Sequence, residues 1–107
     1  MGKMKFDFYM PKTIKQLESF LQQLFKTNPK NVVVRIVDGI ELEDLLSLLN
    51  KYKQQIENYK RSKSIVILTD LFDYNQLPDF ISMAPTEEEA VDVIEFEEIE
   101  RDLLIGE

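Results

Sequence analysis

Apolar residues recur along the chain in two alternating rhythms. Residues 5–10, Lys-Phe-Asp-Phe-Tyr-Met, alternate at Phe6, Asp7 and Phe8, the period of a short half-buried strand near a sheet edge. Thr13 then precedes Ile14, Leu17, Phe20, Leu21, Leu24 and Phe25 at steps of three and four, which predicts an amphipathic helix ending near Thr27. Gln16 is placed to close a capping box on Thr13, and Asn28-Pro29-Lys30-Asn31 stops the helix. Val32-Val33-Val34-Arg35-Ile36-Val37 is β-branched at five of six positions, as in a strand covered on both faces, and Asp38-Gly39 turns the chain away.

From Glu41 to Lys60, Leu42, Leu45, Leu46, Leu49, Tyr52, Ile56 and Tyr59 fall on one stripe about 140° wide, with Lys51, Lys53, Gln54, Glu57 and Asn58 on the wet side. This predicts a second helix. A second apolar strand core follows within residues 64–70, then a loop or single helical turn over residues 73–78, and a last short strand at residues 80–84. Thr86 followed by Glu87, Glu88 and Glu89 announces the final helix, through a capping box and through negative charge at the positive end of the helix dipole. It is expected to run to about Leu104. The order of elements predicts an α/β fold in one domain, residues 1–107, with about four mostly parallel strands, right-handed crossovers and three main helices on both faces of the sheet.

The final helix carries two apolar stripes where a single-domain helix needs one. At about 100° per residue, Ala90, Val93 and Ile94 share one side, while Phe96, Ile99 and Leu103 lie nearly opposite. The first stripe is expected to pack on the sheet. The second is expected to form a contact site, most simply a two-fold homodimer, unless the loop from Phe72 to Leu77 or the N-terminal strand folds over it.

Charge sharpens this reading. Residues 1–63 hold 12 Lys/Arg against 7 Asp/Glu, whereas residues 64–107 hold Arg101 alone against 13 acids, for a net charge of −7. Such an acidic half repels polyanions, and the lysines of the basic half are not interleaved with stacking aromatics, so no nucleic-acid partner is expected. No apolar run reaches the roughly 18 residues of a membrane span, and Met1 to Phe6 lack the apolar core of a secretory leader, which points to the cytoplasm and away from a membrane.

The chain has no Cys and no His, which removes disulfides, thiol chemistry, His-containing zinc sites and imidazole bases. No Ser or Thr has an evident base beside it, and no phosphate loop is present. Asp38 and Asp70 follow strands at their carboxyl ends, where open α/β sheets place ligands, and Asp73 lies close behind. Three such carboxylates suit a hard cation, and a magnesium-dependent phosphate-handling enzyme is the alternative reading. Against it, the segment Asp38 to Asp44 adds acid where phosphate chemistry calls for positive charge or a glycine cradle, and Asp is in any case a favoured turn residue. The expectation is a non-enzymatic module without cofactors that acts by contact with a protein partner.

From Met83 to Leu103 the chain resembles a family of short bacterial proteins ending in a pattern like P-T-x-x-E-A-x-D-x-I-x-M-E-E-I-E-R-x-L. The matching positions are Pro85, Thr86, Glu89, Ala90, Asp92, Ile94, Glu97, Glu98, Ile99, Glu100, Arg101 and Leu103, with Phe96 in place of the usual Met. Upstream, the resemblance is one of layout. Members look like compact relatives of STAS domains, the anti-sigma-factor-antagonist fold, and are often labelled ribonuclease Z. That nuclease uses a His-rich two-metal site, which a chain without His does not build. In regulatory STAS domains a Ser in an Asp-Ser-Ser-Gly-like loop is phosphorylated; here the corresponding residues are Asp38-Gly39-Ile40-Glu41. The resemblance therefore implies a STAS-like sandwich for protein contacts without that phosphoswitch. Its partner-binding edge would comprise Asp38, Gly39, Glu41, Glu43 and Asp44 together with the acidic last helix.

Overall fold

Two central runs of branched apolar residues and two short half-polar edge segments build, among the described residues, a four-stranded, fully parallel sheet in the order β1-β2-β3-β4. The computed structural model describes residues 6–27 and 29–105; Met1 to Lys5, Asn28, Gly106 and Glu107 lie outside them, and with them Lys5 of the first predicted strand, Asn28 of the first helix stop and most of the leader segment. The strands are β1 (Asp7–Tyr9), β2 (Val32–Arg35), β3 (Ile65–Leu68) and β4 (Ser82–Ala84). The helices are α1 (Ile14–Leu24), α2 (Leu42–Lys51), α3 (Lys53–Tyr59) and α4 (Glu87–Ile105). The predicted α/β class and the parallel pairing are both present.

Parallel neighbours joined in sequence order place every right-handed crossover on the same side of the sheet. The packing shows this directly: Val32, Val34, Ile65 and Ile67 meet Leu17, Leu21 and Leu24 of α1, Leu45, Leu48 and Leu49 of α2, and Ile56 and Tyr59 of α3. The β3–β4 connection joins the same side through Leu77 and Ile81. Among the described residues, α4 is the helix that covers the opposite side, where Ala90 and Ile94 pack on Val33, Val66, Leu68 and Ala84.

Among the described residues there are four α-helices where three were predicted, because the second breaks at Tyr52, whose backbone leaves helical geometry (φ −107°, ψ 21°). Its phenol reaches across to α1, donating to a Glu18 oxygen at 2.8 Å and accepting from Gln22 Nε2 at 2.9 Å. The Lys51 ammonium shares that carboxylate at 2.7 Å, and the Lys51 and Tyr52 hydrogen bonds hold Glu18 below the usual carboxylate range. Leu48, outside the predicted stripe, is buried as well. The α1 cap also differs in detail: Thr13 Oγ1 accepts from the Gln16 N–H, but the Gln16 side chain accepts from the Lys12 N–H, one residue before the box position.

β2 ends two residues earlier than predicted, although Ile36 stays buried and donates its N–H to the Leu68 carbonyl. β4 starts at Ser82 because Phe80 and Ile81 belong to a turn closed by the Ile81 N–H on the Pro78 carbonyl. β1 is the edge strand expected and pairs within its own chain, Phe8 opposite Val33.

The Tyr59 hydroxyl donates to the Lys30 carbonyl at 2.6 Å and accepts the Lys30 N–H at 2.8 Å, tying α3 to the approach into β2. Burial raises this phenol above its ordinary value of 10.0, so the folded chain keeps it protonated where the unfolded chain ionises. The stability that the site contributes is fully present below the unfolded value and is lost as pH rises through the raised one. Tyr59→Phe is expected to cost about 1–2 kcal/mol in urea unfolding at neutral pH. Its stability should also fall less steeply than that of the native chain between about pH 9 and 11.

Candidate functional site: the outer face of the last helix

In a parallel sheet, residues in one register row share a face. Phe8, Val33, Val66 and Ser82 form one such row on the α4 side, and Leu68 and Ala84 lie in the row toward the carboxyl ends. Asn31 and Ser64, each two residues before Val33 and Val66, continue this face toward the amino ends of the strands. The floor beneath α4 is thus apolar toward one end and polar toward the other.

The helix follows the same division. Capped by Thr86 Oγ1 on the Glu89 N–H, it buries Ala90 and Ile94 completely over the apolar floor. The next residues on that side, Glu97, Glu98 and Arg101, are polar. Glu97 accepts from Ser64 Oγ at 2.6 Å and from the Ser82 hydroxyl, and Lys60 Nζ lies 3.9 Å from its carboxylate while donating to Ser82 Oγ at 3.1 Å. Arg101 donates to Ser64 Oγ at 3.2 Å and to the Lys60 carbonyl at 3.3 Å. Asn31 bridges the floor and the helix, accepting from the Ser64 N–H and donating to Glu98, both at 2.9 Å. No buried side-chain polar atom among the described residues is left without a partner.

With the sheet side of the later turns filled by hydrogen-bonded groups, the apolar residues there face outward. Phe96 is 62% exposed, Ile99 58% and Leu103 68%. The loop that could have covered them turns the other way, since Phe72 and Leu77 pack on the α1–α3 side. Phe6 packs on the α4 side but does not seal the strip. By helical spacing Asp92 heads the strip, Glu95 and Asp102 run along one border and Glu100 along the other. Leu104, also exposed, was not singled out in the sequence; nor were Phe8 and Met10, left bare because α4 lies chiefly over β3 and β4.

The strand-end carboxylates occupy a different place. Asp38 and Asp70 line a cleft of about 280 Å³ at the carboxyl ends of β2 and β3, with Arg35, Thr86 and Glu87 on its rim. Asp73 does not line it. Among the described residues no group of three or more acidic side chains could hold a metal ion. At about 280 Å³ the cleft lies at the lower edge of the roughly 300–1,000 Å³ usual for ligand sites. Gly39, at φ +104°, makes the turn beside it in a conformation that L side chains rarely adopt. Asp38, Glu41, Glu43 and Asp44, the rest of the predicted partner-binding edge, are exposed around the start of α2.

No family model, curated protein or solved structure matches this chain. Among the described residues no helix is long and apolar enough to cross a membrane.

The polar anchor determines which way α4 faces, and the sequence pattern did not reveal it. Glu97→Ala removes the acceptor of two hydroxyls and the carboxylate beside Lys60, and is expected to cost about 2–4 kcal/mol. In hydrogen exchange, the amides of residues 98–104 should lose protection well before those of residues 90–94. Equal loss along the helix would show that the anchor does not hold its second half.

Proposed function

We propose that this chain is a non-enzymatic, cytoplasmic protein-interaction module that works by docking through the outer face of α4. The observation that carries the reading is the exposure of Phe96, Ile99 and Leu103 on a helix whose opposite side is already fully engaged with the sheet. Scattered exposed apolar side chains are ordinary, but three that are contiguous on a well-anchored helix make a preformed contact surface. The resemblance of residues 83–103 to the short STAS-like family supports the same reading. Asp38-Gly39-Ile40-Glu41, in place of the Ser-bearing loop of regulatory STAS domains, favours constitutive docking over a phosphoswitch. A ribonuclease Z activity finds no support in a chain without His.

Because these side chains contribute little to the core, their replacement should separate contact from stability. Phe96→Asp or Ile99→Asp is expected to change unfolding free energy by about 0.5 kcal/mol or less, whereas Ile94→Ala should cost about 2–4 kcal/mol. The Asp variants should lose either concentration-dependent self-association in sedimentation or the protein partner retained on the native chain in affinity capture from its own cell. A native chain that stays monomeric at high concentration, with the same captured proteins before and after substitution, overturns the proposal.

A further inference from the structure

We infer that the occupant of the α4 face is a basic amphipathic helix from another protein, not a second copy of this chain. This inference rests on the docking reading above and adds the chemistry of the partner. A two-fold contact brings identical faces together. Whether the two helices run parallel or antiparallel, the acids Glu95, Asp102 and Glu100 that border the strip of one copy then meet the same border acids of the other. Among the described residues, none of Asp92, Glu95, Glu100 and Asp102 forms an ion pair. Arg101, the single base of α4, is turned inward onto Ser64 and the Lys60 carbonyl. Arg61 and Lys63 share a cleft with Glu98 and Asp102 at the far end of the helix, and so offset charge there but not along the strip.

The strip is also small. Phe96 to Leu103 spans about two turns, roughly 10 Å along the axis. A homodimer through this face would have to overcome acid against acid with three apolar anchors per copy. A partner helix with apolar residues at i, i+3 and i+7 and Lys or Arg on both borders meets the same anchors and turns each repulsion into attraction.

The test uses the full chain and a fluorescein-labelled 15-residue peptide of Leu and Lys, with Leu at i, i+3 and i+7. Two controls accompany it: a scrambled peptide of the same composition, and a twin with Glu in place of Lys. Fluorescence anisotropy at low salt should show the amphipathic peptide binding at least tenfold more tightly than the scramble, with no binding of the Glu twin. Phe96→Ser/Leu103→Ser and, separately, Glu95→Gln/Glu100→Gln/Asp102→Asn should each weaken it tenfold or more, in variants whose thermal melts remain cooperative. Equal binding of amphipathic and scrambled peptides, or binding indifferent to the Phe96/Leu103 pair, overturns the inference as a diffuse charge effect. Sedimentation that shows a dimer abolished by Phe96→Ser makes a second copy the occupant, which overturns the inference and leaves the docking reading standing. The absence of both a dimer and peptide binding overturns the inference, and the docking reading is then decided by whether Phe96→Asp changes the proteins captured from the cell.

Discussion

The hydrogen bonds from Ser64 and Ser82 to the Glu97 carboxylate set the character of the molecule, because they decide how α4 lies on the sheet. A carboxylate drawn partly out of water is costly without partners, and Glu97 meets that cost with two hydroxyls and a nearby ammonium. Sheet and helix change polarity at the same level: Val66, Leu68 and Ala84 face Ala90 and Ile94, while Ser64, Ser82 and Asn31 face Glu97, Glu98 and Arg101. A rotation of the helix that buried Phe96 and Ile99 would carry Glu97 out of reach of its hydroxyls and push apolar groups onto polar floor. The outward strip is therefore the remainder of a matched pair of surfaces, not a local packing failure.

Topology compounds this. Strands joined in sequence order, with crossovers of one hand, send α1, α2, α3 and the β3–β4 connection to one side and leave the other to whatever follows β4. A single helix covers the two strands nearest its own start, which is why Phe8 on β1 and Met10 just after it stay bare while Val33 in the next strand is sealed. The fold has one completed layer and one incomplete one.

Much of this could be read in the sequence because it rests on local chemistry. Val32-Val33-Val34 and Ile65-Val66-Ile67 have no stable place outside a covered strand, and Thr86 ahead of three glutamates marks a helix start in any context. The opposed stripes of Ala90/Ile94 and Phe96/Ile99/Leu103 were visible for the same reason, since helical angle is arithmetic. What stayed hidden depends on distant partners. The break at Tyr52 accompanies a phenol held by Glu18 and Gln22 on another helix, and the register that sets Ser82 opposite Val66, within reach of the same carboxylate as Ser64, is a tertiary fact. Asp38 and Asp70 were correctly placed at strand ends, but loop geometry took Asp73 elsewhere, and spacing alone carries no such information.

An exposed apolar strip is a hazard to the chain that carries it, and the acids around it bear on that hazard. With Glu95, Glu100 and Asp102 on its borders, any two strips that approach each other bring like charges together before their apolar groups touch. At physiological ionic strength the screening length is about 8 Å, comparable to the width of a helix, so the repulsion acts at the encounter distance and not beyond it. The same borders leave the apolar anchors open to a surface of opposite sign, and discrimination then comes from the mismatch with wrong partners as much as from attraction to the right one. On the docking reading proposed above, the acidic half of the chain would have a role that its composition alone does not require: it would keep the apolar strip from pairing with its own copy while leaving it open to a surface of opposite sign.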